Sequence, residues 1–173
     1  MTVRHLSIAV VVGVQLLALA AIPARALRTR AVGQDVSLWT APVDPYDVLS
    51  GYYVTLTYEA ESTAAVDTQR FEQDEDVWVT IRRGDPAWTR TSIGRERPAP
   101  SPDELSLRAR WAGWRVQIVN AGRLYIPEDE RDRASKLLGD VNGRALVDMK
   151  VDSDGNVSVL RLRVGDATFG EPR

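Results

Sequence analysis

A chain of 173 residues with 22 basic and 24 acidic side chains mixed along it has room for one compact domain and an appendage, and it carries no polybasic face for nucleic acid. Cysteine is absent, which excludes disulfides and thiolate metal sites. The single histidine, His5, precedes the first apolar run. The rest of the chain therefore has no imidazole for a nucleophile–histidine pair or a histidine-bound metal, and no cofactor is expected.

Residues 6–24, LSIAVVVGVQLLALAAIPA, are nearly unbroken apolar sequence, interrupted by Ser7 and Gln15. As a helix at ~1.5 Å per residue the run spans roughly 28 Å, close to the hydrocarbon thickness of a bilayer. Two export readings follow: a retained anchor, or a signal peptide cleaved at Ala24-Arg25-Ala26. The run exceeds the usual ~7–15-residue signal core, which favours the anchor, whereas Pro23 favours cleavage. Arg25, Arg28 and Arg30 outnumber Arg4 and His5, so the charge rule alone places the following domain in the cytoplasm. The expected division is an anchor or signal at 1–26, a stalk at 27–35, a β-rich domain at 36–165 and a tail at 166–173.

Residues 36–39 alternate apolar and polar, as a first strand does. Pro42 and Pro45, with Asp44 and Asp47, end it, because proline cannot donate to a ladder. Residues 53–59 form a second strand, with Tyr52, Val54, Leu56 and Tyr58 on one side and Tyr53, Thr55 and Thr57 on the other. Residues 61–76 are polar and acidic and read as a loop. Residues 77–81 (VWVTI) are a strand whose hairpin partner, 88–93, follows the Arg83-Gly84-Asp85-Pro86 turn. Three prolines make 97–103 an extended loop. A second hairpin joins 105–110 to 114–119, and 123–126 is a short strand. Pro127 opens a helix over 128–138, with Glu128, Asp129 and Glu130 in its first turn, Lys136 in its last and Gly139 as its stop. A third hairpin, 144–151 with 156–164, turns at Asp152-Ser153-Asp154-Gly155. The fold class expected is mainly β, an antiparallel sandwich or partly open barrel built from hairpins, with one short helix after the amino-terminal transmembrane helix.

The stretch 42–58, PVDPYDVLSGYYVTLTY, sets a Pro42-Val43-Asp44-Pro45 turn before Gly51, Tyr53, Leu56 and Tyr58. This spacing resembles the GDYxxLxY family of small, membrane-anchored bacterial proteins. A second landmark, Tyr125-Ile126-Pro127-Glu128 entering a short helix, and the closing hairpin around VDSDG are similar to the same family. The resemblance implies an anchored domain outside the cytoplasm, a possible multi-pass membrane protein as partner, and no established activity. The aspartate of the family name is Tyr52 here, so no role of that carboxylate carries over.

Other patterns point to chemistry more weakly. Asp152-Ser153-Asp154-Gly155-Asn156 starts like a calcium loop, but its twelfth position is Arg163 and it joins strands, so a hairpin turn is favoured. Asp44 and Asp47 are a candidate acid/base pair, without a histidine or lysine nearby to tune them. Glu72, Asp74, Glu75 and Asp76 read as a solvated loop, and Arg83-Gly84-Asp85 as a turn. Lys136 and Lys150 sit in no serine–lysine motif. Tyr52, Tyr53, Tyr58, Trp78, Trp88, Trp111 and Trp114 are mostly core by default, although an exposed row among them suits sugars, a peptide strand or a partner protein.

The expectation is a single-pass anchored, extracytoplasmic binding or accessory domain without enzymatic activity. It acts with a membrane protein or an envelope component and uses no nucleic acid. The alternatives are an envelope-polymer hydrolase or transferase working through Asp44 and Asp47, and a periplasmic binding module released after Ala26.

Overall fold

The computed structural model describes residues 3–41, 49–50, 53–63 and 71–170. Among them the chain is mainly β, with antiparallel strands, two α-helices and one 3-10 turn. Helix α1 (Val3–Val32) runs through Pro23 and takes in most of the segment expected as a stalk. Residues 24–32 hold three alanines and three arginines, which are strong helix formers, and the first glycine after them is Gly33. Among the described residues no helix is long and apolar enough to cross a membrane.

The strands form three antiparallel sheets among the described residues, one more than a sandwich has. The first joins β1 (Gln34–Trp39), β9 (Leu146–Val151), β10 (Val157–Val164) and β11 (Ala167–Gly170) in that order. The second is β5 (Thr89–Gly94), β4 (Asp76–Arg82), β6 (Glu104–Trp111) and β7 (Val116–Ile118). The third and smallest is β2 (Leu49–Ser50), β3 (Tyr53–Thr55) and β8 (Arg123–Tyr125). Backbone hydrogen bonds stitch them together. Thr40 bridges to Tyr58, Trp88 N–H donates to the Ser37 carbonyl, and Arg108 N–H donates to the Gly155 carbonyl.

Among the described residues one continuous core lies between the sheets, filled by inward-facing residues of their strands. Val36 and Leu38 meet Val147, Met149, Leu162 and Phe169 from the first sheet; Val77, Val79, Ile81 and Leu107 come from the second. Val54 and Leu124 face inward from the third, and helix α2 (Glu128–Asp140) adds Ala134 and Leu138.

Further elements differ from the sequence expectation. The strand expected over 53–59 ends at Thr55, because Leu56 N–H turns to the Gly122 carbonyl and the chain tightens into the 3-10 turn Glu59–Glu61. Helix α2 passes Gly139 and ends at Asp140; its stop is Gly143, at φ 72°, whose N–H donates to the Leu138 carbonyl at 2.7 Å. Residues 167–170 of the expected tail are strand β11, held by Phe169, which is buried opposite Leu162.

The turn between β9 and β10 is where α1 and two sheets meet. Asp152 Oδ1 accepts from the backbone N–H groups of Asp154 and Asn156, each at 2.9 Å. Asp152 Oδ2 accepts from Thr29 Oγ1 of α1 at 2.7 Å. One residue on, Arg30 Nε donates to Ser158 Oγ at 2.9 Å, so the end of α1 is fastened to the first sheet. Gly155 at φ 77° lies against the second sheet, where a Cβ would come within 2.5 Å of the Ser106 carbonyl oxygen and 2.7 Å of the Trp78 ring.

Candidate functional site

The residues of the aromatic motif divide between core and surface. Tyr58 is fully buried, and its hydroxyl donates to the Ala121 carbonyl at 2.8 Å. Burial and the neighbouring Glu61 charge hold the Tyr58 phenol well above its ordinary range. Leu56 is also core. Tyr53 points the other way and is 48% exposed, as the alternation of β3 requires once Val54 is buried. The second landmark meets it there. Tyr125 is the register partner of Tyr53 across β3 and β8, and the two rings pack edge to face at 6.3 Å. Pro127 then stands at the N-cap of α2 and Glu128 is its first residue. Pro42, Asp44, Pro45 and Gly51 lie outside the described residues, as does Asp47, and with it the carboxylate pair.

Beside the tyrosine pair, a half-open cleft of about 520 Å³ separates β7 from β3 and β8. Its walls carry Thr55, Arg115, Gln117, Asn120 and Arg123, with Glu61 at the base. Glu61 is only 4% exposed. One carboxylate oxygen accepts Ile118 N–H at 2.7 Å and the other accepts Tyr58 N–H at 3.1 Å. Burial pushes its pKa up from 4.5 to about 7, against the lowering by those two N–H groups and by the Arg115 charge. Arg115 donates to Thr57 Oγ1 at 3.3 Å and stacks on the exposed Trp114 ring at 4.7 Å. With its amide oxygen turned toward Arg115, Gln117 accepts from the guanidinium at 2.8 and 3.1 Å.

The sequence reading missed this cleft. Glu61 opened what looked like a loop, and a tyrosine three residues ahead of a glutamate lacks the serine or threonine that marks a capping box. Arg115 lies in the turn before β7 and Arg123 in β8 of a different sheet, so no local spacing announces them.

A second charged cluster sits on the outward face of the first sheet. Asp148 accepts from Ser37 Oγ and Arg161 Nε, both at 2.7 Å, and from Arg163 Nη2 at 2.8 Å. Burial raises the carboxyl, but these three donors outweigh it and hold Asp148 below its usual value. Asp152 is lowered in the same way: burial raises it, and Asn156, Thr29 and the turn N–H groups outweigh that. Both oxygens of Asp152 are thus engaged inside the protein, and the turn is built by hydrogen bonds. No group of three or more metal-ligating side chains is gathered among the described residues.

These features define a β-rich domain whose two aromatic landmarks converge on one face beside a polar cleft. The GDYXXLXY protein family model matches residues 15–162, and the chain belongs to that family. No curated protein and no solved structure matches it.

Proposed function

We propose that the protein is a binding or accessory domain tethered outside the cytoplasmic membrane by α1, acting with a membrane protein or an envelope component and doing no catalysis of its own. The observation that carries this reading is the surface of α1. Val10, Val11, Val14, Leu16, Leu17 and Leu19 are all exposed, side by side on one helix. At about 25 cal/mol per Å² of apolar area, such a helix is strongly stabilised by leaving water. No helix among the described residues is long and apolar enough to cross a membrane, so the span itself rests on the sequence, in which the apolar run 6–24 matches a bilayer in length. The far end of α1 is bonded to the first sheet through Thr29 and Arg30, which would hold the domain close to the anchoring surface. Sharing a membrane with its partner raises effective concentration, so a modest surface suffices for binding.

A binding role also suits the cleft. Glu61, the acid lining it, has both oxygens committed to backbone N–H groups, an arrangement for holding shape.

The test is fractionation of cells expressing the full chain, with intact-mass analysis of the product and protease added to the outside. A carbonate-resistant membrane species starting at Met1, cleaved by external protease, is the expected result. A soluble species starting at Leu27 overturns the anchor, and a protease-protected domain overturns the placement outside.

A further inference from the structure

Resting on the binding role proposed above, we propose that the cleft between β7 and β3–β8, continued by the Tyr53–Tyr125 shelf, is a binding site for an acidic saccharide. The register makes the two features one surface. Thr55 and Arg123 are direct partners across β3 and β8, and both line the cleft. The next pair along the same face is Tyr53 and Tyr125. A ligand leaving the cleft along this sheet therefore passes onto two tyrosine rings that are 48% and 56% exposed.

The side chains match the chemistry of a sugar acid. Asn120 and Arg123 are planar groups whose paired polar atoms suit a carboxylate or two adjacent hydroxyls, while Arg115, held by Thr57 and Gln117, adds its positive charge to the wall. Aromatic rings supply the apolar platform on which the C–H face of a sugar rests. Two guanidiniums face the space against one carboxylate, Glu61, so the charge favours an anion. At about 520 Å³ the cleft lies within the ~300–1,000 Å³ of ordinary ligand sites.

A peptide strand fits less well. Strand β7 is a sheet edge, where strand addition would occur. Its Ile118 N–H is already taken by Glu61, and the Ile118 carbonyl accepts from Ala121 N–H at 3.3 Å. The edge is plugged from within, while the side-chain wall beside it stays open.

The experiment is calorimetric titration of the full chain in non-ionic detergent with trigalacturonic acid, with neutral maltotriose and with inorganic phosphate. Saturable binding of trigalacturonic acid is expected, at least about tenfold tighter than maltotriose or phosphate. Arg123→Ala and Tyr125→Ala should each weaken it by about tenfold without lowering the melting temperature, since both side chains are exposed. Absence of saturation, equal binding of maltotriose, equal binding of phosphate, or undiminished binding by both variants overturns the proposal. Fractionation reads the anchored placement independently, so either idea can fail alone.

Discussion

The carboxyl of Glu61 should make the stability of this domain fall as pH rises from 4.5 to about 7. Its ordinary pKa is 4.5, and burial raises it to about 7 in the folded protein. The folded state therefore holds a proton that the unfolded state has lost, and the stabilisation present below pH 4.5 disappears as pH climbs toward 7. At ~1.4 kcal/mol per tenfold change in proton affinity, the gap corresponds to about 3 kcal/mol. Asp148 and Asp152 are shifted the opposite way, so their contributions hold above the usual carboxylate range and are lost only on acidification below it. The neutral window is left to Glu61. Urea unfolding followed by tryptophan fluorescence, at intervals between pH 5 and pH 8, measures the slope. Glu61→Gln keeps one acceptor but sets an amide N–H against the other backbone N–H, a pH-independent loss of about 1–3 kcal/mol. The variant should show little slope across this range. A variant that retains the parent's slope, or a parent with none, refutes the assignment.

Leu56→Ala should cost about 2–5 kcal/mol because the side chain is core, whereas Tyr53→Ala should cost under about 1 kcal/mol in denaturant unfolding because its ring faces solvent. Gly155→Val should destabilise by more than about 2 kcal/mol, since φ 77° and the close Ser106 carbonyl leave no room for a branched side chain; calorimetric melting checks it. Asp148→Asn leaves Arg161 and Arg163 without their shared carboxylate, at a cost of about 2 kcal/mol after allowance for partial exposure, and should flatten the acid limb of the stability profile. Thr29→Val removes the donor to Asp152 and should speed proteolysis between α1 and β1 while leaving the melting of the β domain within about 1 kcal/mol.

What the sequence made legible was what local chemistry decides. The strand runs 77–81 and 156–164, turn residues between hairpins, and an acidic first turn after Pro127 each fix an element within a few residues. Pairing among the hairpins was not legible, because β1 and β9 meet from opposite ends of the chain and their partnership lies in no neighbouring residue. The aromatic motif shows the same boundary. Alternation puts adjacent tyrosines on opposite faces, yet only packing tells which face is the core, and Val54, Leu56 and Tyr58 decide it against Tyr53. Glycine at position 139 looked like a helix stop, but tertiary contacts of Leu138 carry α2 past it to a better-placed Gly143.

The two aromatic landmarks serve a common structural purpose through different residues. Tyr58 fixes the Ala121 carbonyl, and Leu56 N–H fixes the neighbouring Gly122 carbonyl, so the segment after Tyr53 determines where β8 begins. Once β8 is placed, the register brings Tyr125 opposite Tyr53 and Arg123 opposite Thr55. Glu61, one turn beyond Tyr58, then reaches Ile118 and sets β7 across the cleft from both. Buried Leu56, Tyr58 and Glu61 thus hold the walls, while exposed Tyr53, Tyr125 and Arg123 furnish them. Substitutions in the first group should lower stability and binding together, and substitutions in the second should lower binding alone. That separation, if measured, would support the proposed ligand surface, and a loss of stability on substitution of all six residues would refute it.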